Sequence, residues 1–274
     1  MAFDWKILVL IVCCVICGCG AGAPETERIN ITQALQQDSE SDCFQAAAPG
    51  HQIVFPDDHG PHDEFKTEWW YYTGNLTAEA GRHFGYQLTF SRQALFCDRP
   101  AGRSPWRTNQ LYFAHFALTD TRQGRFYSAH RMNRKSLGIT GADANPYKVW
   151  IDNWQVAETD DGIENLSAAD EHFSIQLTLQ RGKPPILQGD NGYSRKGSAE
   201  DNASHYYSFP RMASSGTIRL NGRAFEVSGT TWFDHEWSTS ALDDDVNGWD
   251  WFSAHLDDGR DLMICRIRNR SGEP

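Results

Sequence analysis

From residue 67 onward the chain is a succession of runs of strand character separated by polar turns, with almost no helical periodicity. Thr67 to Leu76 and His83 to Arg92 flank the turn Thr77 to Arg82. Gln110 to Thr119 and Arg125 to Met132 flank Asp120 to Gly124. Tyr147 to Ala157 and Gly162 to Leu166 flank Glu158 to Asp161, and His172 to Arg181 follows. Evenly spaced strands with short connections pair with their neighbours, so the expected fold is all-β, an antiparallel barrel or sandwich.

Lys183-Pro184-Pro185 ends this series, and Gly189 to Asn202 is polar and glycine-rich, which places a domain boundary near residue 200. Beyond it Ser204 to Met212, Gly216 to Leu220, Arg223 to Trp232, Trp249 to Leu256 and Arg260 to Arg268 again read as strands. Asn221-Gly222 and Asp258-Gly259 are type I′ hairpin signals. Four or five strands cannot be closed into a filled barrel, which takes about eight. The expectation is a first unit over 44–200 and the incomplete start of a second over 201–274.

The N-terminus carries a different signal. The apolar run Ile7 to Ile16 is too short to cross a bilayer as a helix and fits the core of a secretory signal. Ile16-Cys17-Gly18-Cys19 fits a bacterial lipobox, which predicts a signal peptide over 1–18, a lipidated Cys19 and a polar tether over 19–43. On this reading the protein is a membrane-anchored lipoprotein of the cell envelope, facing the periplasm. Cys43, Cys97 and Cys265 then remain in the mature body and allow one disulfide; Cys43–Cys97 is adopted as a working pair. The net charge of −11 comes without a basic stripe, which argues against nucleic acid as a partner. Arg103 to Arg107 and Arg131 to Lys135 are short basic patches that read as solvated loop charge.

Asp57 to Leu76 is the densest stretch: a polar segment kinked at Gly60-Pro61 runs directly into Trp69-Trp70-Tyr71-Tyr72. Strand alternation puts Glu68, Trp70 and Tyr72 on one face and Trp69, Tyr71 and Thr73 on the other. Together with Gly85 to Phe90, Tyr206 to Met212, Trp232-Phe233-Asp234-His235-Glu236-Trp237 and Gly248 to Phe252, it resembles the AttH/hydroxyneurosporene-synthase family of lipocalin-like proteins, which includes the carotenoid hydratases. The resemblance spans about Val54 to Arg268. It implies two consecutive lipocalin-like barrels, the second truncated in this chain, since family members usually continue further. It also implies an ABC-transporter permease as a partner.

The candidate chemistry lies where acids and imidazoles sit among indoles. On a strand His235 and Trp237 share one face while Asp234 and Glu236 share the other, and Asp250 stands between Trp249 and Trp251. A carboxyl group walled by rings is poorly solvated and retains its proton to higher pH. Such an acid can protonate a carbon–carbon double bond, and indole faces shelter the resulting cation by about 2 kcal/mol when desolvated. The candidate catalytic residues are therefore Asp234, His235, Asp250 and Glu68, with Trp69, Trp70, Tyr72, Trp237, Trp249 and Trp251 as ligand-binding rings. The structural alternative is that these side chains lock a barrel end or a domain interface.

Two metal sets are conceivable, His59, His62, Asp63 and Glu64, or His235 with Asp234 and Glu236, and neither spacing is specific enough to adopt. No cofactor is expected. A serine hydrolase is disfavoured, because around Ser194 the glycines Gly192 and Gly197 do not make a nucleophile elbow. The function read from the sequence is a carrier that binds a hydrophobic ligand, a lipid or isoprenoid, in an aromatic-lined cavity. The alternative is a cofactor-free hydratase or hydrolase of an isoprenoid-like substrate, and a third class is a scaffold for a permease.

Overall fold

The computed structural model describes residues 43–97, 104–199, 202–240, 242 and 246–269. The expected signal peptide, Cys19 and nearly all of the tether lie outside these residues. Among those described there are fifteen strands and no α-helix. In chain order they are β1 Thr67–Ala78, β2 His83–Ala94, β3 Gln110–Asp120, β4 Arg125–Arg134, β5 Thr140–Ala144, β6 Tyr147–Ile151, β7 Trp154–Glu158 and β8 Glu164–Ala169. There follow β9 Phe173–Arg181, β10 Ile186–Leu187, β11 Tyr193–Arg195, β12 Ala203–Leu220, β13 Arg223–Ser238, β14 Val246–His255 and β15 Asp261–Asn269.

Thirteen of them form one antiparallel sheet in the order β4-β3-β2-β1-β13-β12-β9-β8-β7-β6-β5, with β10 and β11 also paired to β12. The sheet curls into an almost closed barrel. Its end strand β4 reaches across to the far edge: Arg131 donates to Asn153 and lies over the Trp154 ring, and Asn133 Nδ2 donates to Asp152 at 3.1 Å. β12 and β13, from beyond residue 200, pair with β9 and β1 and so belong to this sheet. The β14–β15 hairpin is a separate two-stranded sheet.

Alternation explains the core. On β1 the buried set is Glu68, Trp70, Tyr72 and Leu76; on β2 it is Phe84, Tyr86, Leu88, Phe90 and Arg92. Each buried ring or aliphatic side chain contributes about 1.5–3 kcal/mol by leaving water. β13 departs from alternation: all eight residues Thr231 to Ser238 are buried, because the hairpin covers its outer face while the barrel covers the inner one. Gly229 allows β13 to lie against β1, since a Cβ there would meet the Asn75 carbonyl oxygen at 2.0 Å.

Three differences from the sequence reading have local causes. Tyr147 to Ala157 is two strands, broken at Asp152, which takes a positive φ of 54° in the turn. Ser204 to Leu220 is one strand bent by an irregularity between Phe209 and Met212. β5 has no counterpart in the sequence reading, because it lacks large apolar residues.

The segment from Cys43 to Lys66 plugs the barrel mouth. A 3₁₀ turn at Asp57–His59 buries His59, and the chain then turns back to bury His62. Gly60 permits this entry, for a Cβ there would stand 2.5 Å from that of Ala144. Cys43 and Cys97 form a disulfide that fastens the plug to the loop after β2, and Cys265 is free and exposed.

Candidate functional site

The two faces of β13 carry two distinct constellations. Inside the barrel, Glu68 of β1 is fully buried and gathers four donors. Arg92 Nε donates to its Oε2 at 2.8 Å, the His62 backbone N–H to the same oxygen at 3.0 Å. His62 Nδ1 and His235 Nε2 lie 2.7 and 2.9 Å from its Oε1. Burial opposes the Glu68 charge, but Arg92 and His62 outweigh it and hold the carboxyl well below its usual range. Burial likewise opposes protonation of His62, yet Glu68 and Asp58 raise it to about 9, so both of its ring nitrogens donate, Nε2 to Asp58 Oδ1 at 3.0 Å.

His235 is pushed the other way, down to about 4, chiefly by burial. It is neutral, and its Nε2 proton goes to Glu68, so Nδ1 must accept from the Tyr207 hydroxyl at 3.2 Å. His59 Nε2 faces the Arg181 guanidinium at 2.8 Å and can only accept there, which leaves its Nδ1–H to donate to Tyr207. Burial lowers His59 as well. Arg181 continues to Glu164 at 2.7 Å, and Glu164 accepts from Tyr72 at 2.9 Å. The result is a continuous buried chain with every shared proton assigned by its neighbours. Trp70 stacks on His235 at 4.8 Å and Trp237 on His62 at 3.8 Å, and these indoles fill the space around it.

Neither anticipated metal set converges. Asp63 pairs with Lys135 at 3.1 Å and Glu64 is exposed, while His235 faces away from Asp234 and Glu236. A different trio does approach: ligand atoms of His62, Glu68 and His235 lie within 4.8 Å of one another. Its chemistry is that of a hydrogen-bonded ion cluster, since Arg92 already neutralises Glu68 and the His62 ring carries its own charge.

Outside the barrel, Asp234 is buried and accepts from Ser208 Oγ at 2.5 Å, from Trp232 Nε1 at 2.7 Å and from Tyr206. Among the described residues its partners are neutral donors. Burial pushes this carboxyl up to about 7, because three neutral hydrogen bonds do not offset the loss of water. Tyr206 in turn lines a crevice of about 180 Å³ between the outer sheet face and the hairpin, with Trp69, Trp249, Trp251 and Met263 around it. Glu236 also borders the crevice, paired with Lys196 at 3.0 Å. A second recess of about 390 Å³ lies beside it, bounded by Thr73 to Asn75, Trp232 and the hairpin from Trp251 to His255. Trp251 belongs to both.

The predicted residues thus divide. Glu68, His235, Trp70, Tyr72 and Trp237 meet inside the barrel; Asp234, Trp69, Trp249 and Trp251 meet outside it. Asp250 joins neither group. It sits opposite Arg266 on the hairpin, its side chain 41% exposed and 3.2 Å from Arg268 Nε, because Trp249 and Trp251 project from the other face. The walling of Asp250 by rings, expected from adjacency, is corrected by strand alternation. Sequence reasoning missed Arg92, Glu164, Tyr207 and Ser208. The first two were detectable as charges in phase with apolar stripes, Arg92 with Leu88 and Phe90, Glu164 with Leu166 and Ala168.

Comparison with known proteins follows the same architecture. The family described as AttH-like matches residues 46–274. The chain belongs to the AttH-like family. A crystal structure of an AttH protein from Nitrosomonas europaea is 36% identical, superposes with a TM-score of 0.74, and is matched over 84% of this chain and 69% of that one. Kievitone hydratase from Nectria haematococca shares the fold at 12% identity, with a TM-score of 0.55, over 84% of this chain and 70% of that one. No curated protein matches the sequence. In this AttH-like chain the motif strands β1, β12 and β13 therefore form both the sealed interior and the wall of the outer crevice.

Proposed function

We propose that the protein takes up an extended unsaturated molecule, isoprenoid-like, in the outer crevice and adds water across one of its double bonds. The observation that carries this reading is a buried carboxyl, Asp234, held among the described residues by neutral donors, behind a crevice that three indoles help to line. Asp234 and Tyr206 act as one donor. When Asp234 is protonated its O–H donates to the Tyr206 oxygen and frees the Tyr206 hydroxyl to face the crevice. That hydroxyl gives its proton to one alkene carbon as the Asp234 proton replaces it, leaving an Asp234 carboxylate and a carbocation. The faces of Trp251 and Trp249 stabilise that cation. Water attacks it, forming the carbon–oxygen bond, and its surplus proton returns through Glu236 and solvent to Asp234. The balance is alkene plus water to alcohol, with no cofactor.

The carrier reading has its own support: Trp69, Leu242, Trp249, Trp251, Met263 and Ile267 give the crevice a large apolar share beside the polar Arg195, Lys196 and Glu236. Asp234 itself does not line it but hydrogen-bonds to Tyr206, which does. The anchor at Cys19, the envelope location and a permease partner belong to either reading and rest on the lipobox and the family resemblance. The deciding experiment offers the protein an isoprenoid alkene, follows tryptophan quenching for binding and mass spectrometry for gain of water. Asp234→Asn should abolish the hydrated product with affinity within about threefold. Binding without product in the wild type leaves the carrier, and absence of binding overturns both.

A further inference from the structure

The barrel rim at the start of β1 carries exposed apolar side chains that neither constellation uses. They sit on two loops, the described parts of the β2–β3 connection (95–97 and 104–109) and the β4–β5 connection (135–139). The loops are tied together, since Lys135 N donates to the Gln110 carbonyl at 3.0 Å and Arg134 Nη2 to that of Thr108 at 3.2 Å. The β2–β3 connection is braced within itself by Asn109 Nδ2 donating to the Phe96 carbonyl at 2.7 Å. On them Trp106 is 62% exposed, Leu137 49%, Leu95 44%, Ile139 41% and Phe96 40%. Arg107 and Arg134, from the basic patches read in the sequence as plain loop charge, are exposed among them.

We propose that this rim is the face the molecule lays on a lipid bilayer. Trp at a loop tip suits the headgroup level, where its ring is buried and its N–H stays wet. The neighbouring aliphatic side chains enter the acyl boundary, and the guanidinium groups meet anionic headgroups. What selects a bilayer over a protein is the attachment point. The Cys43–Cys97 disulfide fastens the end of the predicted tether to the β2–β3 loop itself. An anchor at Cys19 would therefore bring the chain to the membrane from the side of this rim; in that respect the inference rests on the anchored reading above, and it is independent of the chemistry at Asp234.

The test uses the full chain in bacterial membranes supplemented with a phospholipid bearing a diazirine on its acyl chain. After irradiation, adducts are mapped by mass spectrometry. Adducts are expected on peptides holding Phe96, Trp106 and Leu137. The variant Trp106→Ser/Leu137→Ser, both exposed positions, should stay in the membrane fraction and lose at least fivefold of that labelling. A chain recovered as soluble protein overturns the anchor and the rim together. A membrane-bound chain labelled only upstream of Cys43, labelled on the exposed Phe252 and Ile264 of the hairpin, or cross-linked through the rim to another protein, overturns the rim alone.

Discussion

Asp234 and His235 are neighbours in sequence and face opposite sides of one strand. Asp234 accepts hydrogen bonds from Ser208 and Trp232 outside the barrel, while His235 donates to Glu68 inside it. Burial acts on both and favours the uncharged form of each, raising the carboxyl to about 7 and lowering the imidazole to about 4. Near neutrality β13 therefore carries a partly protonated acid on one face and a neutral imidazole on the other.

Turnover should fall as pH rises through about 7, because the proposed donor needs the protonated Asp234. The same group makes a stability prediction. Its folded value is raised, so its contribution is fully present below the unfolded value of 3.8 and is lost as pH rises through about 7. Urea titrations of Asp234→Asn at pH 5 and pH 8 should show a flatter pH dependence than the wild type; an unchanged slope would refute the assignment.

His62 should make the fold weaker in alkali. Its folded value, about 9, exceeds the ordinary value of 6.5, so its stabilisation is complete below 6.5 and disappears as pH rises through 9. A loss on the order of 3 kcal/mol is expected across that window. Chemical denaturation at pH 6 and pH 9.5 measures it, and His62→Gln should remove most of the difference.

Arg92→Ala should cost about 3–5 kcal/mol, since it removes one of the two cations that hold the buried Glu68 carboxylate and takes the guanidinium from the Phe65 carbonyl. The double variant Arg92→Met/Glu68→Gln should recover part of that loss. A cost below about 1 kcal/mol in the single variant, read from urea midpoints, would show that Glu68 is not held as described.

The crevice predicts a contrast between neighbouring residues. Trp251→Ala should weaken binding of a hydrophobic probe by about tenfold, a typical loss for a buried ring in a pocket. Asp250→Asn should leave binding and turnover within about twofold, because its half-exposed pair with Arg268 is worth little. Fluorescence titration of the two variants in parallel settles it.

Most of the strand pattern was legible in the sequence because one-sided burial imprints a period of two. Thr67, His83, Gln110, Arg125 and Arg223 begin strands where the polar turns predict, and the Asn221-Gly222 turn has the positive φ values of 50° and 80° that its type requires. Legibility failed where that imprint fades. From Thr231 to Ser238 no exposed position interrupts β13, so the run looked like a mixture of ring, acid and imidazole rather than a strand dry on both faces. The interior chain was half visible: Glu68 and His235 stood out among indoles, but Tyr207, Arg181 and Glu164 lie on β12, β9 and β8, whose pairing beside β13 the sequence does not reveal. Asp250 misled because adjacency along a strand places side chains on opposite faces.

The hairpin that walls the crevice is held to the barrel at two places: at its turn, where Arg211 and Lys183 both pair with Asp261, and along its face, where Trp249 and Trp251 pack on the sheet. The thirteen-stranded sheet behind it closes around its own interior without using those contacts. One wall of the ligand crevice is thereby carried by a two-stranded unit outside the barrel sheet. Exchanging β14 and β15 would retune which molecules fit, provided the new hairpin still covers Trp232, Asp234 and Glu236 on the outer face of β13.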